Sequence, residues 1–330
     1  MPGPAPAVAA TRRALRAALA DLPADTLVLA ACSGGADSSA LAAALAFVAP
    51  RAGLRAGAVV VDHGLQPGSD AVSRAAGQVC LDLGLRPVEV VAARVVATCD
   101  GPEADARAAR HAALDAVAQR LGAGVLLLGH TRDDQAEQVL LGLVRGSGAR
   151  SLAGMPSRRA RVARPFLGLT RAQTEAACAA QGLIPWVDPH NADRAYTRVR
   201  ARQALVDLER DLGPGVVAAL ARSADLLRQD ADLLDELADT AYRSVGDPPD
   251  VARLADLPPA LRRRVLRRLA VAAGASPGRL RATHVAALDA LVVDWHGQGP
   301  VHLPGPVLAR RVDGTLRWRR GRSEDTRPAR

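Results

Sequence analysis

LVLAACSGGADSSALAAAL, residues 27 to 45, is a short apolar run that breaks at Ser33-Gly34-Gly35-Ala36-Asp37-Ser38 and resumes as an alanine-rich helical pattern. A strand feeding a helix through such a turn points free backbone N–H groups and the positive helix end at one spot, and glycine lets an anion come close. Read alone, the turn has a plainer explanation in which Ser33 or Ser38 caps the helix. Its surroundings favour the phosphate cradle.

Working outward, the first half alternates apolar runs with helical patterns: TLVLAAC then SALAAALAFV, GAVVVDH then SDAVSRAAGQVCLDLG, PVEVVAARV then ADARAARHAALDAVAQRLG, GVLLLGH then RDDQAEQVLLGLVRG. That rhythm predicts an α/β fold, a doubly wound and mostly parallel sheet with helices on both faces. Ligands in such sheets bind beyond the carboxyl ends of the strands. Ser33-Gly34-Gly35, Asp62-His63-Gly64 and Gly129-His130 all fall there.

Three segments are expected: a catalytic domain over residues 1–212, a connecting helix over 213–245 and a basic domain over 246–330. The helix follows from VVAALARSADLLRQDADLLDELADTAYRSV, which is apolar at helical spacing. The last segment reads as smaller and mainly helical, and VHLPGPVLARRVDGTLRW as two short strands joined near Asp313-Gly314. The final ten residues, GRSEDTRPAR, have the composition of a disordered tail.

Composition bounds the chemistry. With 330 residues and 49% apolar content the chain can bury a sizeable core, and no run approaches the ~20 apolar residues that span a bilayer. A cytoplasmic protein without a membrane partner is expected. Cys32, Cys80, Cys99 and Cys178 form no C-x-x-C pair, so neither a disulfide framework nor a zinc cage is indicated. All 43 basic residues are Arg, which excludes a Schiff-base lysine and a P-loop lysine. Residues 251–320 hold 13 Arg against four Asp and no Glu, a surplus equal to the chain's formal charge of +9. Arg262, Arg263, Arg267 and Arg268 fall on a helical pattern within it. They read either as a solvated face or as a footprint for a phosphate backbone. Trp295 and Trp318 read as core, with base stacking the alternative.

A second block, GHTRDDQAEQVLLGLVRGSGARSLAGM at 129–155, follows a strand and opens a helix on which Asp133 or Asp134 shares a face with Glu137 beside His130. Complementing the helix dipole is the plainer role of such acids.

Ser33 to Ser38 resembles the SGGxDS signature of PP-loop N-type ATP pyrophosphatases, and the second block resembles that of tRNA(Ile)-lysidine synthetases within them. Further matches run in order: Asp62-His63-Gly64-Leu65, Glu103 with Ala106, Arg107 and Arg110, Arg164-Pro165 with Leu167, and Trp186-Val187-Asp188-Pro189 with Asn191, Tyr196, Arg198 and Arg202. The likeness is close over roughly residues 25 to 210 and loose beyond. Arg198-Val199-Arg200-Ala201-Arg202 departs from the family's R-N-R-I-R by losing the Asn, Gln66 stands for a common Arg or Ser, and His111 for a frequent Tyr.

The resemblance implies a ligase that joins L-lysine to C2 of the wobble cytidine, position 34, of a CAU-anticodon tRNA(Ile). It would use ATP and an adenylated cytidine intermediate. ATP and Mg²⁺ are the expected cofactors, with Ser33, Gly34, Gly35, Ala36, Asp37, Ser38, Asp62, His63, Arg110, Arg198 and Arg202 around the nucleotide and Asp37 on the metal. Arg200 is an alternative to Arg198 or Arg202 for charge neutralisation. Asp37, His130, Asp133, Asp134 and Glu137 form the expected catalytic set, their roles undivided. Arg262, Arg263, Arg267 and Arg268 would grip the tRNA. The oligomeric state stays open, a homodimer included. The competing readings are a PP-loop tRNA thiolase, which would use cysteine chemistry, and a non-catalytic tRNA-binding protein.

Overall fold

In a computed structural model of the chain, residues 3–62, 64, 68–96, 102–188 and 193–320 are described, the side chains of 102–104 excepted. His63, Leu65, Gln66, Cys99, Pro189, Asn191, the side chain of Glu103 and the last ten residues lie outside them.

The predicted alternation is present. Helix α1 (Pro6–Leu19) leads into β1 (Leu27–Ala31), α2 (Ala36–Arg51), β2 (Arg55–Asp62), α3 (Ser69–Asp82), β3 (Val88–Ala92), α4 (Pro102–Arg120), β4 (Val125–Leu127) and α5 (Arg132–Val144). There follow α6 (Ala149–Leu152), the short β5 (Arg158–Arg159) and β6 (Val162–Ala163), α7 (Arg171–Ala179) and α8 (Thr197–Leu212). The sheet order is β3-β2-β1-β4-β6-β5, parallel except for the β5–β6 pair. Glu103 and Arg110 lie on α4.

Strand periodicity sorts side chains to two covered faces. Val28 and Ala30 of β1 pack with Leu15 of α1, Leu41 and Leu45 of α2, Cys80 of α3 and Ala177 of α7. Leu27 and Leu29 face the other way, with Val59 and Val61 of β2 and Leu114 and Val117 of α4. Both faces are buried, which is why these strands read as apolar runs rather than alternating ones.

The chain builds outward from β1 through β2 to β3, then returns to place β4 on the other side of β1. The crevice between β1 and β4 is therefore the switch point at which such sheets take ligands. It brings the loop after β1 beside Gly129-His130 after β4. A Cβ on Gly129 would stand 3.0 Å from the carbonyl of Asp37, tighter than ordinary contact, so glycine eases this approach.

Compactness divides the chain between Asp225 and Leu226, inside α9 (Val216–Ser244). The second unit holds α10 (Val251–Ala255), α11 (Pro259–Ala272), α12 (Ala282–Val293) and an antiparallel sheet of β7 (Val301–Leu303), β8 (Val307–Val312) and β9 (Thr315–Arg320). Leu254, Leu266, Leu288 and Leu316 centre its core. Where two strands were expected there are three. The β8–β9 hairpin does turn at Asp313-Gly314, both at positive φ as a two-residue connection requires.

Candidate active site

A cavity of about 820 Å³ opens at the switch point. Ser33, Gly35, Ala36, Asp37 and Ser38 line it, with His130, Asp134 and Glu137, with Arg110, Arg198 and Arg202, and with Trp186 and Tyr196.

The loop after β1 is organised from within. Gly34 sits at φ +82°, a left-handed conformation that disfavours any side chain, and its carbonyl accepts a 2.9 Å hydrogen bond from the Trp186 N–H. The Ser38 hydroxyl accepts from the Ser33 N–H at 3.1 Å and donates to the Gly35 carbonyl at 2.9 Å. Ser38 thus ties the loop together rather than capping the helix. The cap position of α2 is Gly35, with no side-chain cap. The first-turn N–H groups, which a helix cannot satisfy itself, are left for a ligand, as at other anion-binding helix ends.

Asp37 stands in that first turn. Its carboxylate accepts from Thr174 of α7 and lies 3.7 Å from Arg171 Nε. Burial raises its pKa to about 6, against the lowering effect of Thr174 and Arg171. On α5, Asp134 completes a capping box: its Oδ2 accepts from the Thr131 N–H at 2.8 Å and the Thr131 hydroxyl at 3.0 Å. Burial alone would raise this carboxyl, but the Thr131 N–H, Arg171 and His130 together hold it below the usual carboxylate range. Glu137 is 2% exposed and receives Arg202 Nε at 2.9 Å. Asp133 is absent from the cavity lining and accepts from the Arg171 N–H at 2.9 Å, which anchors the start of α7.

Arg171 links these groups. Its guanidinium lies 3.2 Å from Asp134 and 3.6 Å from Glu137 as well as beside Asp37. Burial would lower its pKa, but the surrounding carboxylates raise it. Neither Arg171 nor Thr174 was anticipated. The sequence signal nearby is Thr170-x-x-Gln173, a capping box that marks the start of α7 without saying what α7 delivers.

His130 is pushed down to about 3, chiefly by burial and further by Arg164, Arg110 and Arg107, which outweigh Asp134. It is neutral near pH 7, and among the described residues its buried Nδ1 has no hydrogen-bond partner. At the same cavity, burial together with repulsion from Arg107 and Arg198 lowers the Arg110 guanidinium. Crowded guanidiniums of this kind suit a polyanion.

Other expected groups sit differently. Asp62 is not on the cavity lining; its Oδ1 accepts from the Gly64 N–H at 3.0 Å. Arg200 donates to the Arg194 and Ala195 carbonyls. Cys32, Cys80 and Cys178 are buried and free. Among the described residues no group of three or more His, Cys, Asp or Glu could hold a metal ion. One acidic ligand in the form of Asp37, completed by phosphate oxygens and water, is compatible with Mg²⁺ arriving on a nucleotide.

Four of the five arginines of α11, those expected to grip tRNA, all have partners within the second unit. Arg262 is 7% exposed, and its Nε binds Asp289 at 2.6 Å inside the second core, so it presents no surface. Arg263 shares Asp289 at 2.9 Å, Arg267 donates to the Leu280 and Pro277 carbonyls, and Arg268 pairs with Asp239. Helical spacing put these guanidiniums on one element; tertiary packing supplied each with a partner. Trp318 packs against the second core, whereas Trp295 is 40% exposed.

A strand-loop-helix phosphate cradle at the β1/β4 switch point defines a PP-loop protein, and the family described as PP-loop domain matches residues 8–209. The family described as TilS substrate binding domain matches residues 250–317. The chain is 57% identical over 320 residues to a tRNA(Ile)-lysidine synthase of Thermobifida fusca (strain YX), covering 96% of this chain and 98% of that one. It is 52% identical over 352 residues to one of Streptomyces coelicolor (strain ATCC BAA-471 / A3(2) / M145), covering 97% and 100%. The chain belongs to the tRNA(Ile)-lysidine synthase family. Among solved structures, a U34-tRNA thiolase NcsA from Methanococcus maripaludis with its [4Fe-4S] cluster aligns at TM-score 0.58 and 20% identity, over 67% of this chain and 80% of that one, a likeness of fold. Among the described residues no helix is long and apolar enough to cross a membrane.

Proposed function

We propose that this chain joins L-lysine to C2 of the wobble cytidine of a CAU-anticodon tRNA(Ile), consuming ATP and releasing AMP and pyrophosphate. The observation that carries the reading is one cavity lined both by an uncapped helix start with Arg110 and Arg198 and by a buried set of carboxylates.

The two halves of the cavity answer two chemical needs. Oxygen O2 of cytosine is a poor leaving group, so it first bonds to the α-phosphorus of ATP and pyrophosphate leaves. The uncapped first turn of α2 and the guanidiniums of Arg110 and Arg198 bind the phosphates and orient that phosphorus. Asp37 would hold Mg²⁺, which would supply charge neutralisation on the phosphates. The lysine ε-amine then bonds to C2, the C2–O2 bond breaks, and AMP departs carrying that oxygen.

An amine of pKa ~10.4 costs about 4–5 kcal/mol to deprotonate at pH 7, so a group must take its proton as the bond forms. Asp134 and Glu137 hold the ammonium, and one of them accepts that proton. Neutral His130 lines the cavity beside them. The target base leaves its stack to enter, which costs least for a loop nucleotide.

The test is incubation with ATP, radiolabelled lysine and unmodified tRNA(Ile) bearing CAU. Label in the tRNA, with one AMP per lysine, is expected. Unlabelled tRNA, with the label absent under saturating ATP, overturns the reading.

A further inference from the structure

Within the second unit residues 251–320 carry 13 Arg against four Asp, yet the arginines of α11 are occupied by the unit's own acids and carbonyls. The sheet β7–β8–β9 is different. Its inner face is buried: Val307, Ala309 and Leu316 enter the core, and on the same side Arg311 donates to the Leu291 and Val292 carbonyls. By register, the opposite face carries Arg310 directly across from Arg317, and Arg319 across from Leu308, which in turn pairs with His302. Arg310, Arg317, Arg319 and His302 are all exposed.

Among the described residues the guanidinium of none of these three arginines has a hydrogen bond or an ion pair, in contrast to Arg262, Arg263, Arg264 and Arg268. Like charges directly opposite on neighbouring strands are destabilising. An uncompensated Arg310–Arg317 pair is therefore a local cost that folding of this unit does not require, and a polyanion would relieve it. Strands fix the backbone spacing of these arginines, so less backbone freedom is lost on binding than from a mobile tail.

We propose that the outer face of β7–β9, through Arg310, Arg317 and Arg319, is the surface on which the second unit seats the sugar-phosphate backbone of its RNA substrate. The inference rests on the tRNA reading above and relocates the basic footprint from helix α11 to the strands. Guanidiniums fork onto phosphate oxygens, so the contact is with backbone and is independent of sequence.

The experiment measures binding of the full-length protein to tRNA(Ile) across a salt series, for the wild type, for R310Q/R317Q/R319Q and for R310K/R317K/R319K. Each lost phosphate contact removes about one unit from the slope of log K against log salt, so the Gln variant should lose ~2–3 units and the Lys variant should stay near wild type. The Gln variant should melt at or above the wild-type temperature, since a repulsion is removed. At saturating tRNA its kcat for lysine transfer should be unchanged, with KM raised at least about tenfold at ~0.15 M salt.

An unchanged slope in the Gln variant overturns the proposal, as does binding of anionic phosphatidylglycerol vesicles through these residues with RNA affinity unaltered. Because binding is read apart from lysine transfer, a wild type that binds with the expected slopes but labels no tRNA refutes the function and leaves the surface standing.

Discussion

Asp37 shows how one residue draws its properties from both its motif and its surroundings. Its place beside the glycines is legible in the sequence, but its pKa of about 6 comes from burial. The folded state thus holds the proton more tightly than the unfolded chain, so this group's contribution to stability is present below about pH 4 and is lost as pH rises to about 6. A shift of this size corresponds to at most about 3 kcal/mol. Denaturant unfolding of D37N should lose that fall between pH 4 and 6, and the variant should turn over no ATP to AMP. A wild-type stability profile flat across that range would refute the burial argument. Arg171 is the opposite case, because nothing in Thr170-Arg171-Ala172 announces that its guanidinium stands among carboxylates 34 to 134 positions earlier in the chain. Ion pairs at such separations are set by which helices meet, and one sequence carries no local trace of that.

At the scale of elements, the strand and helix rhythm of the first 150 residues was readable because buried parallel strands are apolar runs and their helices are alanine-rich. What could not be read was the role of α7, which delivers Arg171 to Asp134 and Glu137 and Thr174 to Asp37. Its first turn is held by the Thr170 capping box and by Asp133, which accepts from the Arg171 N–H. Replacing Thr170 with Ala should cost about 1 kcal/mol of stability. Because fraying there displaces Arg171, kcat should fall more than KM rises. Steady-state kinetics showing an unchanged kcat would mean that α7 is scaffold alone. The third strand of the second unit was missed because Pro304-Gly305-Pro306 reads as a break, while the structure uses it as the β7–β8 turn.

For the whole molecule, the charge distribution named the basic half but not its basic surface. Helix α11 displays five arginines in seven positions, and most of that charge is consumed inside the unit by Asp289, Asp235 and Asp239. Asp289 is 4% exposed and holds two guanidiniums, so D289A leaves buried charge unpaired, at a cost of about 3–5 kcal/mol. Since the chain divides at Asp225 and Leu226, thermal unfolding of this variant should show the transition of the second unit moving down in temperature. ATP binding by the first unit should persist. A single unshifted transition would refute a structural role for Asp289.

By itself the sequence determined the order of strands and helices, the glycine-containing turn after β1 and the acidic helix start, because each is a local pattern of apolar period, glycine and capping residues. The sheet order that sets β1 beside β4, the clamp of Arg171 on three carboxylates, and the division of arginines into paired and unpaired sets were decided by tertiary structure alone. Their physical reason is common: a charge's partner, burial and pKa depend on distances between segments far apart in the chain, and only packing fixes those distances. The opening turn, Ser33 to Ser38, takes its conformation from neighbours in space such as Trp186 as much as from its neighbours in sequence.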